Sequence, residues 1–224
     1  MILPWEHPFT SIIGGPTSCG KSVFVTKFLE NVEVMIDQSI SEIIWCYGES
    51  QQLHDKIKNV VRVPIKFVEG LPNMAEIIPE QNPPARLLVV DDLMRESDSR
   101  VLDVFSKGSH HRNLSVVFIT QNIFHQGKGA RDMSLNTHYI VFFKNPRDKS
   151  QIFHFSRQVS PENAKFIQEA FVEATSKPHS YLVFDMKQST PEAFRFRSEI
   201  FPNEGNFVYV PKLGGLDYSS HFAL

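Results

Sequence analysis

The chain has 224 residues, of which 42% are hydrophobic and 21% are charged. These values are typical of a soluble globular protein with one sizeable core. The sequence has no apolar run of about 18 residues, which argues against a membrane-spanning helix, and its amino terminus does not have the pattern of a signal peptide. Cys19 and Cys46 are the only cysteines. They exclude a disulfide framework and a four-cysteine zinc site, and they predict a reducing, intracellular location.

The charge of the chain is unevenly distributed. The net charge is −2 overall, but residues 107–157 contain eight lysines and arginines against two aspartates, a net charge of +6, together with five histidines. A basic segment in an acidic chain is compatible with a partner that carries phosphates. A solvated face whose charges pair elsewhere in the fold would give the same pattern.

A phosphate-binding motif lies near the amino terminus, between a predicted strand at 9–13 and a predicted helix at 23–29. It fits G-x-x-x-x-G-K-[ST], the P-loop, in which backbone N–H groups and a helix N-terminus bind phosphate oxygens. The lysine of this motif contacts the β- and γ-phosphates, and its last hydroxyl binds Mg²⁺. The motif therefore predicts binding of ATP and Mg²⁺ by Gly15, Pro16, Thr17, Ser18, Cys19, Gly20, Lys21 and Ser22.

Strands and helices alternate along most of the chain. We expect further strands at 41–47, 62–68, 86–90, 115–120, 138–143 and 180–184, with a late hairpin formed by 193–201. We expect further helices at 50–58, 73–78, 97–107, 149–157 and 161–175.

This alternation predicts an α/β fold with a mainly parallel sheet and helices on both faces. The segment 62–68 contains Pro64, which favours an edge strand, whereas the apolar run 86–90 is typical of a central parallel strand. We expect residues 1–213 to form a single domain. Residues 214–224 show no clear periodicity and are expected to form a C-terminal tail, either loose or docked.

Two acidic residues follow the predicted central strand. Asp91 and Asp92 come directly after Leu87-Leu-Val-Val90, which is the Walker B pattern. In such a site Asp91 would hold Mg²⁺, and Asp92 would orient or deprotonate the attacking water. Many related ATPases have Glu at the second position, and Asp is shorter by one methylene. A cap on a strand-to-loop turn would also account for the pair.

Other polar residues lie where an ATPase needs them. Gln121 or Asn122, after the strand at 115–120, could bind the attacking water or the γ-phosphate. Arg112, just before that strand, could act as a finger on the γ-phosphate of a neighbouring subunit, and Arg131 and Arg147 are rival candidates. The pair His110-His111 lacks the spacing of a metal site. Cys19 lies at a predicted helix N-terminus, which tends to lower a thiol pKa, so alkylation there is an expectation.

The combination resembles a known family. The segments GGPTSCGKS, IIWCYGE, LLVVDDLM, HHRNLSVVFITQN and YIVFFKNPRDKSQI are similar to those of the genome-packaging ATPases of large DNA viruses and of Polinton (Maverick) transposons. These enzymes are similar to the poxvirus packaging ATPase and belong to the FtsK–HerA branch of P-loop ATPases. The resemblance covers about two thirds of the chain. It implies a RecA-like sheet and assigns the finger of that branch to Arg112.

The resemblance also implies partners. It predicts a homo-oligomeric ring that couples ATP hydrolysis to the movement of double-stranded DNA into a capsid, with capsid proteins as further partners and no membrane. Two other classes stay open from the residues: a nucleoside or nucleotide kinase, which uses the same P-loop, and a nucleotide-gated scaffold that does not hydrolyse ATP. A kinase needs an acceptor site, and its lid candidate is the segment 124–131.

Overall fold

The computed structural model describes residues 2–49, 52–73, 77, 83–91, 93, 113–121, 136–211 and 220–223. Ten strands in these ranges form a single sheet. The strands are β1 (Thr10–Gly14), β2 (Glu42–Tyr47), β3 (Ile65–Glu69), β4 (Arg86–Asp91), β5 (Leu114–Thr120), β6 (Tyr139–Phe143), β7 (Tyr181–Asp185), β8 (Phe196–Ser198), β9 (Phe207–Val210) and β10 (Ser220–Ala223). The α-helices are α1 (Lys21–Glu30), α2 (Val32–Met35), α3 (Leu53–Val60), α4 (Ser150–Val159) and α5 (Ala164–Ala174), and a 3₁₀ turn covers Glu192–Phe194.

The sheet has a parallel part and an antiparallel part. The order of the strands is β10-β9-β8-β7-β6-β1-β5-β4-β2-β3. In the parallel part, β6, β1, β5, β4, β2 and β3 follow one another and are parallel to one another. In the antiparallel part, β7 pairs with β6, and β8, β9 and β10 follow it as a meander. β5 lies between β1 and β4, so the strand that precedes the P-loop and the strand that ends in Asp91 are not neighbours.

Helices cover both faces of the parallel part. Alternate residues of β4 enter different clusters: Leu87 and Val89 pack with α1 and α3, whereas Leu88 and Val90 lie on the face that packs with α4 and α5. Side chains of a strand point alternately to its two faces, and both faces are buried here. This explains why β4 is an uninterrupted apolar run in the sequence.

The segment before β1 is bound to the sheet through aromatic packing. The Trp5 ring stacks on that of Tyr139 in β6, with ring centroids 4.3 Å apart and planes 8° apart. Trp5 also contacts Phe9 and Phe28, and Trp5, Phe9 and Phe28 are all buried. Burial of aromatic area of this kind holds the amino-terminal segment against the same core face as α1.

A buried histidine joins this segment to the start of β5. His7 is 6% exposed, and its Nδ1 lies 2.6 Å from Oγ of Ser115, while its Nε2 lies 2.9 Å from Oδ1 of Asn113. The backbone N–H of His7 donates to Asp37 at 2.7 Å. Burial lowers the pKa of His7 below its usual value of 6.5.

Most predicted elements are confirmed where the structure describes them. β3 is the edge strand next to Pro64, β4 lies inside the parallel sheet, and β8 pairs antiparallel with β7 as the predicted late hairpin. The last two helices differ from expectation at their ends: the helix predicted from residue 161 begins at Ala164, because residues 161–163 form a turn. The helices predicted at 73–78 (except Ile77) and 97–107 lie outside the described residues.

The carboxyl-terminal strands add two elements to those predicted. β9 has no counterpart among the predicted strands, and β10 lies in the segment expected to be a tail, where it pairs antiparallel with β9. Ser220–Ala223 is thus part of the sheet, and the division of the chain into residues 1–213 and a tail stays a prediction. None of the helices in the described ranges is long and apolar enough to cross a membrane.

Candidate functional site

The P-loop joins β1 to α1, as its sequence predicted. The backbone N–H of Gly15 donates to the carbonyl of Thr120 in β5 at 3.2 Å, which fixes the start of the loop to the neighbouring strand. A Cβ on Gly15 would lie 2.7 Å from Cβ of Phe143 and 2.8 Å from Sγ of Cys19. Gly20 has φ 114° and Ser18 has φ 63°, so two loop residues are left-handed. The glycines are therefore required by close packing at one position and by backbone conformation at the other.

Lys21 closes the loop on itself. Its ammonium donates to the carbonyl oxygens of Gly15 at 2.6 Å and Pro16 at 2.9 Å. α1 begins at this residue, with no side-chain cap hydrogen bond and no acidic residue in its first turn. The first-turn N–H groups of a helix need acceptors, and the positive end of the helix favours an anion. The loop, the ammonium and the helix end are thus arranged for a phosphate group.

The strand register brings the two other predicted residues to the same edge of the sheet. Gly14 is level with Thr120 of β5, and Asp91 is level with Ile119 of β5, so Gln121 follows directly between them. Neighbouring strands lie about 4.8 Å apart, which puts Asp91 roughly 10 Å from the P-loop strand. Asp91 is 8% exposed. In parallel sheets, ligands bind beyond the carboxyl ends of strands where the strand order reverses, and β1 is such a position here.

A cavity of about 710 Å³ lies on the Gln121 side of the P-loop, and we call it the Arg147 cavity. Arg147 and Gln121 are both exposed, and both line the cavity with the first half of the loop. The remaining lining residues are Pro16, Thr17, Ser18, Asn145, Pro146 and Gln151.

Arg147 is presented by a short turn between β6 and α4. Oδ1 of Asn145 accepts from the N–H of Arg147 at 3.1 Å, and Asp148 accepts from the Ser150 N–H at 3.0 Å and from Nε2 of Gln151 at 3.0 Å. The Ser150 hydroxyl also donates to Asp148 at 2.5 Å, and this bond, together with that from Gln151, lowers the pKa of Asp148. In the described part of the chain, the guanidinium of Arg147 has no acidic partner within salt-bridge distance. The structure therefore brings an uncompensated cation to the P-loop of its own chain.

The pKa of the Cys19 thiol in the P-loop is not lowered, although its position at a helix N-terminus predicts a lowered value. Cys19 is half-buried beside the loop, and burial raises the pKa of its thiol despite the nearby charge of Lys21. The prediction of a lowered pKa at the helix N-terminus is wrong, because removal of the thiolate from water outweighs the favourable charge. Selective alkylation of Cys19 is accordingly not expected.

Several predicted site residues lie outside the described residues: Asp92, Arg112, Asn122, Arg131 and the pair His110-His111. Their roles stay predictions. The structure does describe Asn113, next to Arg112, and it lies at the amino end of β5. A seven-residue strand rises about 20 Å, so Asn113 and the P-loop lie at opposite ends of β5.

The donor set fits a hard divalent cation. Ser22 and Asp91 offer a hydroxyl and a carboxylate oxygen, the ligand types that Mg²⁺ prefers. Among the described residues there is no group of three or more His, Cys, Asp or Glu side chains that could hold a metal by themselves. A two-ligand magnesium site that is completed by phosphate oxygens and water agrees with this composition.

No protein-family model matches the sequence, and no curated protein sequence matches it either. Among solved structures, the chain resembles the genome packaging NTPase B204 from Sulfolobus turreted icosahedral virus 2 in complex with ATP-gammaS. The identity is 15% and the TM-score 0.49, over 82% of this chain and 94% of that one. It also resembles Thermomonospora curvata EccC (ATPases 2 and 3) in complex with a signal sequence peptide, with 12% identity and a TM-score of 0.41 over 61% of this chain and 30% of that one.

The assignment of the fold rests on the molecule itself: a P-loop after β1, Asp91 at the end of β4, and β5 inserted between β1 and β4. The chain has a P-loop NTPase fold with a mainly parallel sheet, helices on both faces and an added antiparallel meander.

Proposed function

We propose that this protein is an ATP-hydrolysing motor that assembles as a homo-oligomeric ring and moves double-stranded DNA into a viral or virus-like capsid. The observation that carries the hydrolytic part is the row formed by the P-loop, Gln121 and Asp91 at adjacent carboxyl ends of β1, β5 and β4. Such a row offers phosphate binding, a polar group for water and a metal ligand at a single edge of the sheet.

Each residue has a chemical role in this proposal. Lys21 exchanges its loop carbonyls for the β- and γ-phosphate oxygens of ATP. Ser22 and Asp91 hold Mg²⁺, which when bound neutralises charge on those phosphates. Asp92 orients or deprotonates the attacking water, and Gln121 hydrogen-bonds that water or the γ-phosphate.

Two arginines take different roles. Arg147 lines the cavity beside the P-loop of its own chain, which supports an action in cis on the γ-phosphate. Arg112 precedes Asn113 in the sequence, and Asn113 lies about 20 Å from the P-loop end of β5, a distance longer than an arginine side chain. A finger role for Arg112 therefore requires a second subunit, which is the shared site that the proposed ring provides.

The DNA and capsid parts rest on the motif resemblance and on charge. The four described cations of the basic segment are all exposed, in the connection that follows β6 and on α4: Lys144, Arg147, Lys149 and Arg157. Exposed cations of this kind can neutralise backbone phosphates. The proposal places the protein inside the host cell, in the nucleus or cytoplasm where virions assemble.

The test is ATP turnover with and without duplex DNA. We expect turnover that DNA stimulates, and Lys21→Ala should lower it by about a hundredfold or more, because it removes a cation from the transferred phosphoryl group. Lys165→Ala is the matched control: Lys165 is exposed on α5, where it pairs with Glu169 at 3.7 Å, and its loss should leave turnover unchanged.

Other outcomes would contradict the proposal. A folded, oligomeric preparation without turnover in either condition would exclude a motor. Transfer of phosphate to a nucleoside instead of water would indicate a kinase, and tight ATP binding without hydrolysis would indicate a nucleotide-gated scaffold.

A further inference from the structure

A second cavity adjoins the P-loop on the α1 side, where Lys21 and Ser22 form part of its lining. Its volume is about 410 Å³, within the range of small-molecule pockets. It shares Ser18 with the Arg147 cavity and is otherwise lined by the second half of the P-loop, by α1 and by residues near β7 and the β8–β9 connection. We call it the Glu204 cavity. A molecule bound across the P-loop would have one end in each cavity.

The floor of the Glu204 cavity is aromatic. Phe24, Tyr181 and Phe201 line it, with the rings of Tyr181 and Phe201 at 4.8 Å and 5.0 Å from that of Phe24. Val23 of α1 also lines the cavity and is 68% exposed, although it is apolar. Apolar and aromatic walls suit the flat base and the carbon face of a ribose. The two cations of the cavity lie apart in role: Lys21 belongs to the P-loop, and Lys27 pairs with Glu204.

A carboxylate lies on the wall of this aromatic pocket. Glu204 forms an ion pair with Lys27, and its Oε2 accepts from the Phe201 N–H at 3.2 Å and from the Tyr181 hydroxyl at 3.5 Å. Lys27 also lies over the Phe201 ring, 4.8 Å from its centroid. A carboxylate has about four acceptor positions, so these three donors leave one for a ligand. A hydroxyl of a ribose is a donor of the right type.

A histidine forms the rim beside the P-loop. The Nδ1–H of His179 donates to the carbonyl of Cys19 at 3.2 Å, and its Cβ is 3.3 Å from the point where a Cβ of Gly20 would lie. His179 is exposed and has φ 62°, an uncommon conformation for a residue with a side chain. The Ser180 hydroxyl supports this turn by donating to the carbonyl of Lys177 at 2.5 Å. The imidazole is thereby fixed next to the loop, where its face is available to a base.

We propose that the nucleoside part of ATP lies in the Glu204 cavity, with Glu204 accepting from a ribose hydroxyl and His179 packing against the base. This inference rests on the proposed function, because it needs a triphosphate on the P-loop. Lys21 and Ser22 hold the phosphates at the P-loop edge of the Glu204 cavity, and Gln121 and Arg147 line the other cavity, so the terminal phosphate points towards Gln121 and Arg147. The nucleoside, at the opposite end of the molecule, then enters the aromatic cavity on the Ser22 side.

The test separates the nucleoside from the phosphates. The dissociation constants of ATP, of 2′,3′-dideoxy-ATP and of inorganic tripolyphosphate are measured with Mg²⁺ for the full chain and its variants. Glu204→Gln should weaken ATP binding about tenfold, the value of a hydrogen bond to a charged group. His179→Gly keeps the left-handed backbone and should weaken it about fivefold through lost stacking. Neither change should alter tripolyphosphate binding, whereas Lys21→Ala should weaken both.

A contact between Glu204 and the ribose predicts a specific difference in affinity between ATP and an analogue without ribose hydroxyls. The unchanged protein should bind 2′,3′-dideoxy-ATP about tenfold more weakly than ATP, because that analogue cannot donate to Glu204, and this ratio should fall towards one in Glu204→Gln. The matched control is Glu199→Gln. It removes the carboxylate that pairs with Lys177 and accepts from the Gly205 N–H on the same connection, outside the cavity.

The outcomes are distinct. Unchanged ATP affinity in both Glu204→Gln and His179→Gly, in a protein that hydrolyses ATP, would overturn this inference and leave the proposed function intact. Equal losses for ATP and tripolyphosphate would also overturn it, since they would show damage to the P-loop. If the unchanged protein bound neither ligand, the proposed function and this inference would both be wrong.

Discussion

Arg147 lies beside the P-loop of its own chain, and this position gives a direct prediction at the scale of single residues. Replacing it by alanine should lower ATP turnover by about a hundredfold, because one charged donor to the transferred phosphoryl group is lost. The dissociation constant of ATP should change much less, since the contact matters most as charge develops on the γ-phosphate. Single-turnover kinetics with separate measurement of binding checks this prediction.

Arg157 provides the control for that variant. It is exposed on α4, with its guanidinium 4.2 Å from the centroid of the Phe153 ring, and it does not line the cavity. Arg157→Ala should keep turnover on ATP alone. If Arg157→Ala lowered turnover as much as Arg147→Ala, turnover would depend on the total positive charge and not on the position of Arg147.

Sequence patterns predict a site residue well when it belongs to a contiguous motif. They predict it poorly when the fold brings it together with residues that are distant in sequence. The spacing of Gly15, Gly20 and Lys21 is local, so the motif predicts their positions near α1. Glu204 and Lys27 meet across 177 positions of sequence, and no pattern connects them. The direction of the Cys19 pKa depends on burial, which a motif does not specify.

At the scale of elements, the amino-terminal segment is tied to β5 through one titratable side chain. The pKa of His7 is lowered below 6.5 because burial disfavours the charged ring. The unfolded chain therefore binds this proton more tightly than the folded chain. The contribution of neutral His7 to stability is present above pH 6.5 and is lost as the pH falls through and below that value.

Chemical denaturation between pH 5 and pH 8 tests this expectation. The free energy of unfolding should fall on the acidic side, and His7→Gln should reduce the pH dependence, although His54, also buried with a lowered pKa, keeps part of it. His154→Gln, at an exposed position of α4, is the matched substitution for comparison. A slope that His7→Gln does not alter would show that protonation of His7 is not linked to unfolding.

The parallel strands were predictable because both of their faces are buried. β4 and β5 are continuous apolar runs, and a run of this kind is typical of a strand that is buried on both faces of a parallel sheet. β8 and β9 have three and four residues, and such short runs carry little periodicity. The start of α5 at Ala164 shows a different difficulty: Ser160 and Pro161 are typical helix-start residues, but the Ser160 hydroxyl donates to Glu162 instead of capping a helix.

For the whole molecule, the two arginine roles predict different results when subunits are mixed. Arg112→Ala subunits keep an intact P-loop, and Lys21→Ala subunits keep an intact Arg112. If Arg112 acts across a subunit interface, a mixture of the two inactive variants should recover turnover, since some interfaces combine an intact P-loop with an intact finger. Turnover is measured against the mixing ratio.

Arg147→Ala mixed with Lys21→Ala is the matched comparison. A residue that acts in cis cannot be supplied by a neighbour, so this mixture should stay as inactive as its components. Recovery in the Arg147→Ala mixture, or its absence in the Arg112→Ala mixture of a confirmed oligomer, would reverse the assignment of the two arginines.

The insertion of the P-loop strand between two later strands has a consequence for synthesis. Ile12 of β1 pairs with Phe118 and with Ile140, both more than a hundred residues further along the chain. Contacts over such distances form slowly, because the entropy of closing a long loop must be overcome first. The ribosome therefore releases the phosphate-binding segment well before its partners in the sheet, because β1 has no neighbour until β5 has emerged and lacks its second neighbour until β6 has emerged. The nucleotide site therefore becomes complete only late in synthesis, and fragments that end before Phe143 should not bind ATP.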